Sequence, residues 1–350
     1  MADTRDEVTE VRKAHVFDVD ALAAYLGRHL EGFRGPLAVR QFKGGQSNPT
    51  FLLEAGGRRY VLRKKPPGKL LASAHQVDRE YRVMRALAGT GVPVPRMHLL
   101  CEDDAVIGAA FYVMDFLAGR IFRDAQLPDL APAERAAIYD DMNAVLARLH
   151  QVDYTAVGLA DFGRPGGYIP RQIARWTKQY RAAETGTIAA MERLIAWLPA
   201  HVPAGDETCI AHGDFRLENS IFHPTEPRMI ALIDWELATL GHPLADLAYN
   251  CLPYHMQNPD LGTLVDADFA ASGIPSEEAY VAAYCRRTGR PGIGDWGFYL
   301  AFSLFRLAAI VQGVYKRALD GNASSETAAA YGDACAALAE GAWSMVETES

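Results

Sequence analysis

Along this chain the hydrophobic pattern begins with a short period and then lengthens. From Leu37 to about Leu117, apolar and polar positions alternate over stretches of strand length, bounded by turn formers. "LAVRQF" and "TFLLEAG" are strand candidates separated by "KGGQSNP", and "RRYVLRK" follows after a Gly-Gly turn. "HQVDREYRVMRALAG" predicts a helix closed by glycine, and "FYVMDFL" one more buried strand. Beyond it the period is helical. Ile138, Met142, Val145, Leu146 and Leu149 form one core-facing stripe. Ile169, Ile173, Trp176 and Tyr180 form a second, and Ile188, Met191, Leu194, Ile195 and Leu198 a third. "NSIFH" and "MIALI", joined by "PTEP", then predict a hairpin. The expected architecture is α+β. A small β-rich lobe occupies residues 1–117 behind an N-terminal helical extension, and a larger, mostly helical lobe occupies 118–350.

Composition narrows the partners. A chain of 350 residues commonly divides into two lobes, and 49% apolar with 22% charged residues is ordinary globular composition. A net charge of −8 argues against nucleic acid. The start, "MADTRDEVTEVRK", is too polar for a signal peptide. The apolar run "FYLAFSLFRLAAIVQGVY" carries Arg306 and Gln312, which a membrane span of that length should not, so a buried helix and no membrane partner are expected. Five scattered cysteines without a C-x-x-C pair suit free thiols in a reducing compartment, with the cytoplasm as the expected location.

The stretch "IAHGDFRLENSIF" places His212, Asp214 and Asn219 at the spacing H-G-D-x-x-x-x-N, and "ALIDWE" supplies Asp234 at the far end of the hairpin. Antiparallel pairing brings Asn219 and Asp234 close, with Asp214 on the loop just before. Two carboxylates and an amide oxygen are hard ligands that suit Mg²⁺ and not zinc. Phosphoryl transfer from ATP needs such a set: one Asp at the attacking hydroxyl, and an Asn and a second Asp holding magnesium. On this reading Asp214 is catalytic, Asn219 and Asp234 bind metal, and His212 orients the loop.

"HGDFRLEN" followed by "IDWE" resembles the kinase-fold aminoglycoside phosphotransferase family, which also includes choline and homoserine kinases. "VLRKKPPGKLLASAHQVDREYRV" and the run from "HGDFRLEN" to "PLADLAY" are most similar to one branch, the kinase-like domain found at the N-terminus of some acyl-CoA dehydrogenases and its stand-alone bacterial relatives. The resemblance covers about Val39 to beyond Tyr249. It implies a protein-kinase-like two-lobed fold with ATP and Mg²⁺ as cofactors.

In such a fold a strand lysine holds the nucleotide phosphates and pairs with a helix glutamate. Here the strand reads "YVLR", with Glu80 on the following helix. Alternation sets Val61 and Arg63 on one face and Lys64 on the other, so Arg63 is the first candidate, a departure from the usual lysine, and Lys64 the second. Gly44 and Gly45 would let the backbone approach a phosphate, with Ser47 and Asn48 adding donors, although the loop is no G-x-G-x-x-G. "MDFL" resembles a kinase hinge, with Met114 behind the adenine and the Asp115 carbonyl and Leu117 N–H at its polar edge.

The acceptor class follows from what is missing. A dozen residues take Asp234 to Asp246 of "HPLADLAYN", which reads as core helix and leaves no room for the activation segment of a protein kinase. About sixty residues separate His150 from the catalytic stretch, enough for an acceptor-binding helical insert and a small-molecule substrate. In that insert Arg171, Arg175 and Lys178 form a basic stripe beside Trp176, better suited to an anionic acceptor such as a CoA thioester than to a polycationic sugar. The branch resemblance implies phosphorylation of a hydroxyl on an acyl-CoA. An aminoglycoside or other small metabolite, or nucleotide binding without transfer, are the alternatives.

Overall fold

A computed structural model describes residues 8–43, 48–66, 76–257, 263–320 and 328–347. Gly44, Gly45 and Ser47 of the expected phosphate loop lie outside these. In chain order the first elements are β1 (Val8–Thr9), α1 (Val19–His29), β2 (Leu37–Phe42), β3 (Thr50–Ala55), β4 (Arg58–Lys64), α2 (Val77–Leu87), β5 (Met97–Cys101) and β6 (Phe111–Asp115). Next come α3 (Pro132–Gln151), α4 (Tyr168–Ala183), α5 (Ala189–Trp197), β7 (Cys209–Ala211), β8 (Ser220–Phe222), β9 (Met229–Leu232) and β10 (Thr239–Gly241). Then α6 (Pro243–Asn250), α7 (Phe269–Ser272), α8 (Glu277–Thr288), α9 (Trp296–Leu319) and α10 (Ala328–Ser344) complete the set. The fold class is α+β, as the sequence implies.

Packing divides the chain into two compact units, and neither is one continuous stretch. The first holds residues up to Ile121 together with Thr155–Leu159 and Glu218–Ala238, and the second holds the rest. The expected boundary at residue 117 assigned the β8–β9 hairpin to the second lobe. In the structure the hairpin packs with the first unit. Arg120 and Phe222 exchange backbone hydrogen bonds at 2.8 Å, and the Leu232 N–H donates to the Pro93 carbonyl at 2.8 Å. No local pattern announces such long-range bonds.

In the first unit, β1–β6 form an antiparallel sheet in the order β1-β2-β3-β4-β6-β5. The pleat decides which side chains go where. Phe51, Leu53, Tyr60, Leu62, Phe111 and Val113 share one face and pack with Leu22, Leu26 and Leu30 from α1 and its C-cap. The other face carries Val61, Arg63, Tyr112 and Met114, aligned across β4 and β6, and α2 packs against β5 and β6. Only the short strands β1 and β5 were not expected there.

In the second unit, α9 packs against α4, α6 and α10, and α3 packs against α8 and β7. All five expected positions on α3, and all four on α4, are buried. Of the third stripe, Met191, Leu194 and Leu198 are buried, while Ile188 and Ile195 are half-buried. Helix α9 is long and apolar enough to cross a membrane, but twelve of its residues, from Phe298 to Gln312, are buried in the protein. Gln312 is satisfied there, donating to the Ala183 carbonyl (2.8 Å) and the Thr185 hydroxyl (3.0 Å). The five cysteines are free and buried.

Candidate functional site

The first unit gathers charge around Arg63. This residue lies on β4 between Thr50 of β3 and Tyr112 of β6, with 9% of its surface exposed. Its Nη2 donates to Asp234 Oδ1 at 2.8 Å and stands 3.8 Å from Glu236 Oε2. Its Nε lies 3.2 Å from Glu80 Oε2, close enough for an ion pair although the N–H does not point at the oxygen. Glu80, on α2, also accepts hydrogen bonds from the Asn48 amide (2.9 Å) and the Tyr112 hydroxyl (3.1 Å). Burial pushes the Glu80 carboxyl up to about 7, against the pull of Arg63 and with Asp234 adding to the rise. Burial opposes the Arg63 charge as well, but Glu80, Tyr112 and Asp234 raise its pKa above the ordinary value.

Lys64 faces the other way. Its ammonium sits 5.0 Å over the Phe17 ring, and burial lowers its pKa. Strand parity therefore brings Arg63, not Lys64, to Glu80. Asn48 is fully buried and tethers Glu80.

At the end of β6, Met114 is buried and pairs with Val61 across the sheet. The Asp115 N–H donates to the Arg96 carbonyl at 2.9 Å, and its carboxylate meets His98 Nε2 at 2.6 Å. Leu117, just past the strand, is half-buried, and among the described residues its N–H has no acceptor.

The hairpin carries the two expected metal ligands at its open end. The Ile233 N–H donates to the Asn219 carbonyl at 2.9 Å, so Asp234 follows directly on the pairing that Asn219 begins. Asp234 adopts a left-handed backbone (φ 63°), a conformation that aspartate tolerates better than most residues. Trp235 behind it is buried, and its indole N–H donates to the Leu232 carbonyl at 2.9 Å. Arg120 braces the turn, with Nε on the His223 carbonyl (3.0 Å) and Nη2 on the Glu226 carbonyl (2.9 Å). Gly119 permits this approach: a Cβ there would lie 2.4 Å from Ile221 Cγ2 and from the Phe222 carbonyl oxygen.

Can these residues hold magnesium? Among the described residues no three His, Cys, Asp or Glu side chains form a closed metal cage. Mg²⁺ rarely uses one, taking one or two carboxylates with phosphate oxygens and water. Asp234 and Asn219 offer hard oxygens, and three carboxylates around the Arg63 guanidinium leave negative charge for a cation to balance. The donor set fits.

In the second unit, Asp214 follows a rigid turn. β7 pairs with β10, and the chain then passes through His212 and through Gly213 at φ 82°. Buried Asp246 of α6 takes both N–H groups of that turn, from His212 at 2.7 Å and Gly213 at 2.8 Å. His150 Nε2 lies 3.2 Å from Asp246, and its Nδ1 lies 2.7 Å from the Tyr284 hydroxyl. Burial would raise the Asp246 pKa, but these partners, His150 first, hold it below the ordinary carboxylate value. His212 Nδ1 accepts the Asp214 N–H at 3.2 Å, an orienting contact. The Asp214 carboxylate meets Arg216 Nε at 3.2 Å. Burial, then Asp214, raises the Tyr249 pKa.

The basic stripe of α4 divides. Arg171 is engaged locally, Nη1 on the Gly166 carbonyl and Nη2 on the Arg164 carbonyl at 2.8 Å, bracing the entry to its own helix. Arg175 and Lys178 are exposed, with Arg175 5.3 Å from the Trp176 ring. Trp176 is buried and donates to Gln172 at 3.0 Å. The sequence named no role for Glu236 or Tyr249, and placed Asp246 only in a core helix, where it is indeed buried on α6. It noted Arg306 only as a misfit in an apolar helix.

The profile of the phosphotransferase enzyme family matches residues 38–296. The chain is 51% identical over 345 residues to mouse (Mus musculus) acyl-CoA dehydrogenase family member 10, covering 97% of this chain and 32% of that protein. It is 48% identical over 333 residues to rat (Rattus norvegicus) acyl-CoA dehydrogenase family member 11, covering 92% and 42%. The chain thus spans less than half the length of these curated relatives. A Ralstonia eutropha structure, described as a candidate aminoglycoside phosphotransferase, superposes with a TM-score of 0.88 at 52% identity, covering 95% of this chain and 99% of that one. An aminoglycoside phosphotransferase solved with AMP-PNP and hygromycin B shares the fold at 19% identity and a TM-score of 0.60, covering 92% and 98%.

Proposed function

The chain belongs to the phosphotransferase enzyme family, and on that footing we propose that it transfers the γ-phosphate of ATP to a hydroxyl of a small molecule. The observation that carries the reading is the Arg63 cluster. A guanidinium held by Glu80 is a fixed positive donor for phosphate oxygens, and the surplus carboxylates suit Mg²⁺. Asn219 and Asp234 would hold the ion, which supplies charge neutralisation for the phosphates when bound. AMP-PNP in the hygromycin B complex supports ATP as donor.

Asp214 accepts the proton of the acceptor hydroxyl as its oxygen bonds to the γ-phosphorus. The bond from that phosphorus to the bridging oxygen breaks, and ADP leaves. Asp246 and His212 hold the Asp214 turn, and Arg216 pairs with its carboxylate. We assign the end of β6, from Met114 to Leu117, to the adenine, and Gly44, Gly45, Ser47 and Asn48 to the loop covering the phosphates.

For the acceptor we favour a hydroxyacyl-CoA-type metabolite. Relatives named acyl-CoA dehydrogenases support it, as do cationic side chains near Asp214 and on α4. A melting shift with Mg²⁺-ATP tests donor binding. At a hundredfold excess over Kd it should correspond to about 2.7 kcal/mol. Asp214→Asn should lower turnover by about 10³-fold while leaving that shift intact. Near-normal turnover in Asp214→Asn would sink the assigned chemistry.

A further inference from the structure

Helix α9 is apolar over most of its length, yet Arg306 stands in its middle with only 7% of its surface exposed. Its Nη2 donates to the Gly213 carbonyl at 2.7 Å. The guanidinium carbon lies 5.0 Å from the centre of the Tyr249 ring and 5.7 Å from that of Trp176. Among the described residues no carboxylate comes within ion-pair distance of it, and its buried Nε has no acceptor.

That is an unusual way to bury a cation. Charged groups this far from water are normally paired, because desolvation costs several kcal/mol. One carbonyl and two aromatic faces compensate only part of that. Donor capacity is therefore left over on a guanidinium bonded to the residue just before Asp214.

We propose that Arg306 is the acceptor-recognition residue: it binds an oxyanion, carboxylate or phosphate, of the hydroxyl-bearing substrate. This rests on the phosphotransferase reading and adds the charge class of the acceptor. The surroundings agree with it. The ring that flanks Arg306 belongs to Tyr249, and Arg306 itself bonds the Gly213 carbonyl next to Asp214, so an anion on Arg306 sits beside the turn that carries the proton acceptor. Arg216 beside Asp214 and Arg175 beside Trp176 add charge of the same sign. An aminoglycoside's ammonium groups would be repelled here, and a neutral alcohol would gain nothing from the guanidinium.

The oxyanion could come from a free hydroxy acid or from the phosphates of a thioester, and calorimetry separates them. The 350-residue chain, saturated with Mg²⁺ and AMP-PNP, is titrated with 4-hydroxypentanoate, its methyl ester and its CoA thioester. At least one anion should bind about 30-fold more tightly than the ester, the free acid if a carboxylate is read and the thioester if phosphate is. Arg306→Gln should bring that anion to the level of the ester, Arg306→Lys should restore part of the difference, and AMP-PNP affinity should stay within about twofold in both. A purely structural role would shift all three ligands alike. Equal binding of ester and anions by the native protein, no binding of either anion at millimolar concentration, or unchanged anion affinity in a folded Arg306→Gln would each overturn the inference while leaving the phosphotransferase reading intact. Failure of the native protein to bind Mg²⁺-AMP-PNP would overturn both.

Discussion

Arg63 and Asp234, 171 positions apart in the chain, meet at 2.8 Å. The contact joins a central strand of the sheet to the exit of the hairpin, so whatever Arg63 holds is held in register with Asp234. Glu80 approaches the same guanidinium from α2.

If Arg63 is the phosphate-holding residue, Arg63→Ala should raise the ATP KM well above that of Lys64→Ala. It should also cost stability, because Glu80 would stay buried without its cation, an effect of about 3 kcal/mol. Lys64→Ala removes an ammonium over Phe17 and should leave the ATP KM within about threefold. Initial rates and urea unfolding of the two variants check both halves. A larger KM effect at Lys64 would reverse the assignment.

Glu80 gives the metal-free protein a pH signature. Its carboxyl is pushed up from 4.5 to about 7, so the folded state holds the proton more tightly than the unfolded chain does. The stabilisation from that proton is complete below pH 4.5 and is lost as pH rises towards 7, roughly 3 kcal/mol in all. Urea unfolding between pH 4.5 and 8, compared with Glu80→Gln, should show the native protein losing stability relative to the variant over that window. Parallel curves would show that Glu80 stays ionised throughout.

Asp246→Asn tests the support of the Asp214 turn. An amide offers one oxygen where His212 and Gly213 each present an N–H, so one donor loses its acceptor, at about 2 kcal/mol, and kcat should fall with the turn's rigidity. Because the Asp246 pKa is depressed, its contribution is present above the ordinary value and lost as pH falls through the folded one. Acid unfolding of the variant should therefore be less steep than that of the native protein.

Gly119→Ala would drive a methyl group to 2.4 Å from Ile221 and the Phe222 carbonyl. The hairpin must shift, at about 2 kcal/mol, and the melting temperature should fall by several degrees. An unchanged melting point would mean that the hairpin can yield at this contact.

What could be read from the sequence was whatever depends on near neighbours. Alternation along "RRYVLRK" separated Arg63 from Lys64, and the hairpin pattern placed Asn219 and Asp234 at one end. β5 escaped notice because "MHLLC" is short and not strictly alternating, and its pairing partner β6 supplies the missing order. Arg306 was visible as an arginine out of place, but only folding brings it from α9 to Gly213, 93 positions away. Glu236 reads as one more polar residue after Asp234 until Arg63 is set beside it. Arg171 shows the converse: spacing placed it on a basic stripe, whereas carbonyls upstream of its own helix occupy its guanidinium.

Because Glu218–Ala238 returns to the first unit, that unit cannot be excised by one cut. A fragment ending at Ile121 would keep the six-stranded sheet and lose the hairpin, stranding the Pro93 carbonyl and the Arg120 backbone without their partners. It would also separate Arg63 from Asp234, removing the cation's outer counter-ion while Glu80 stayed behind. Supplying residues 218–238 as a separate peptide is the experiment this invites. Reconstitution would turn a covalent insertion into a measurable association constant.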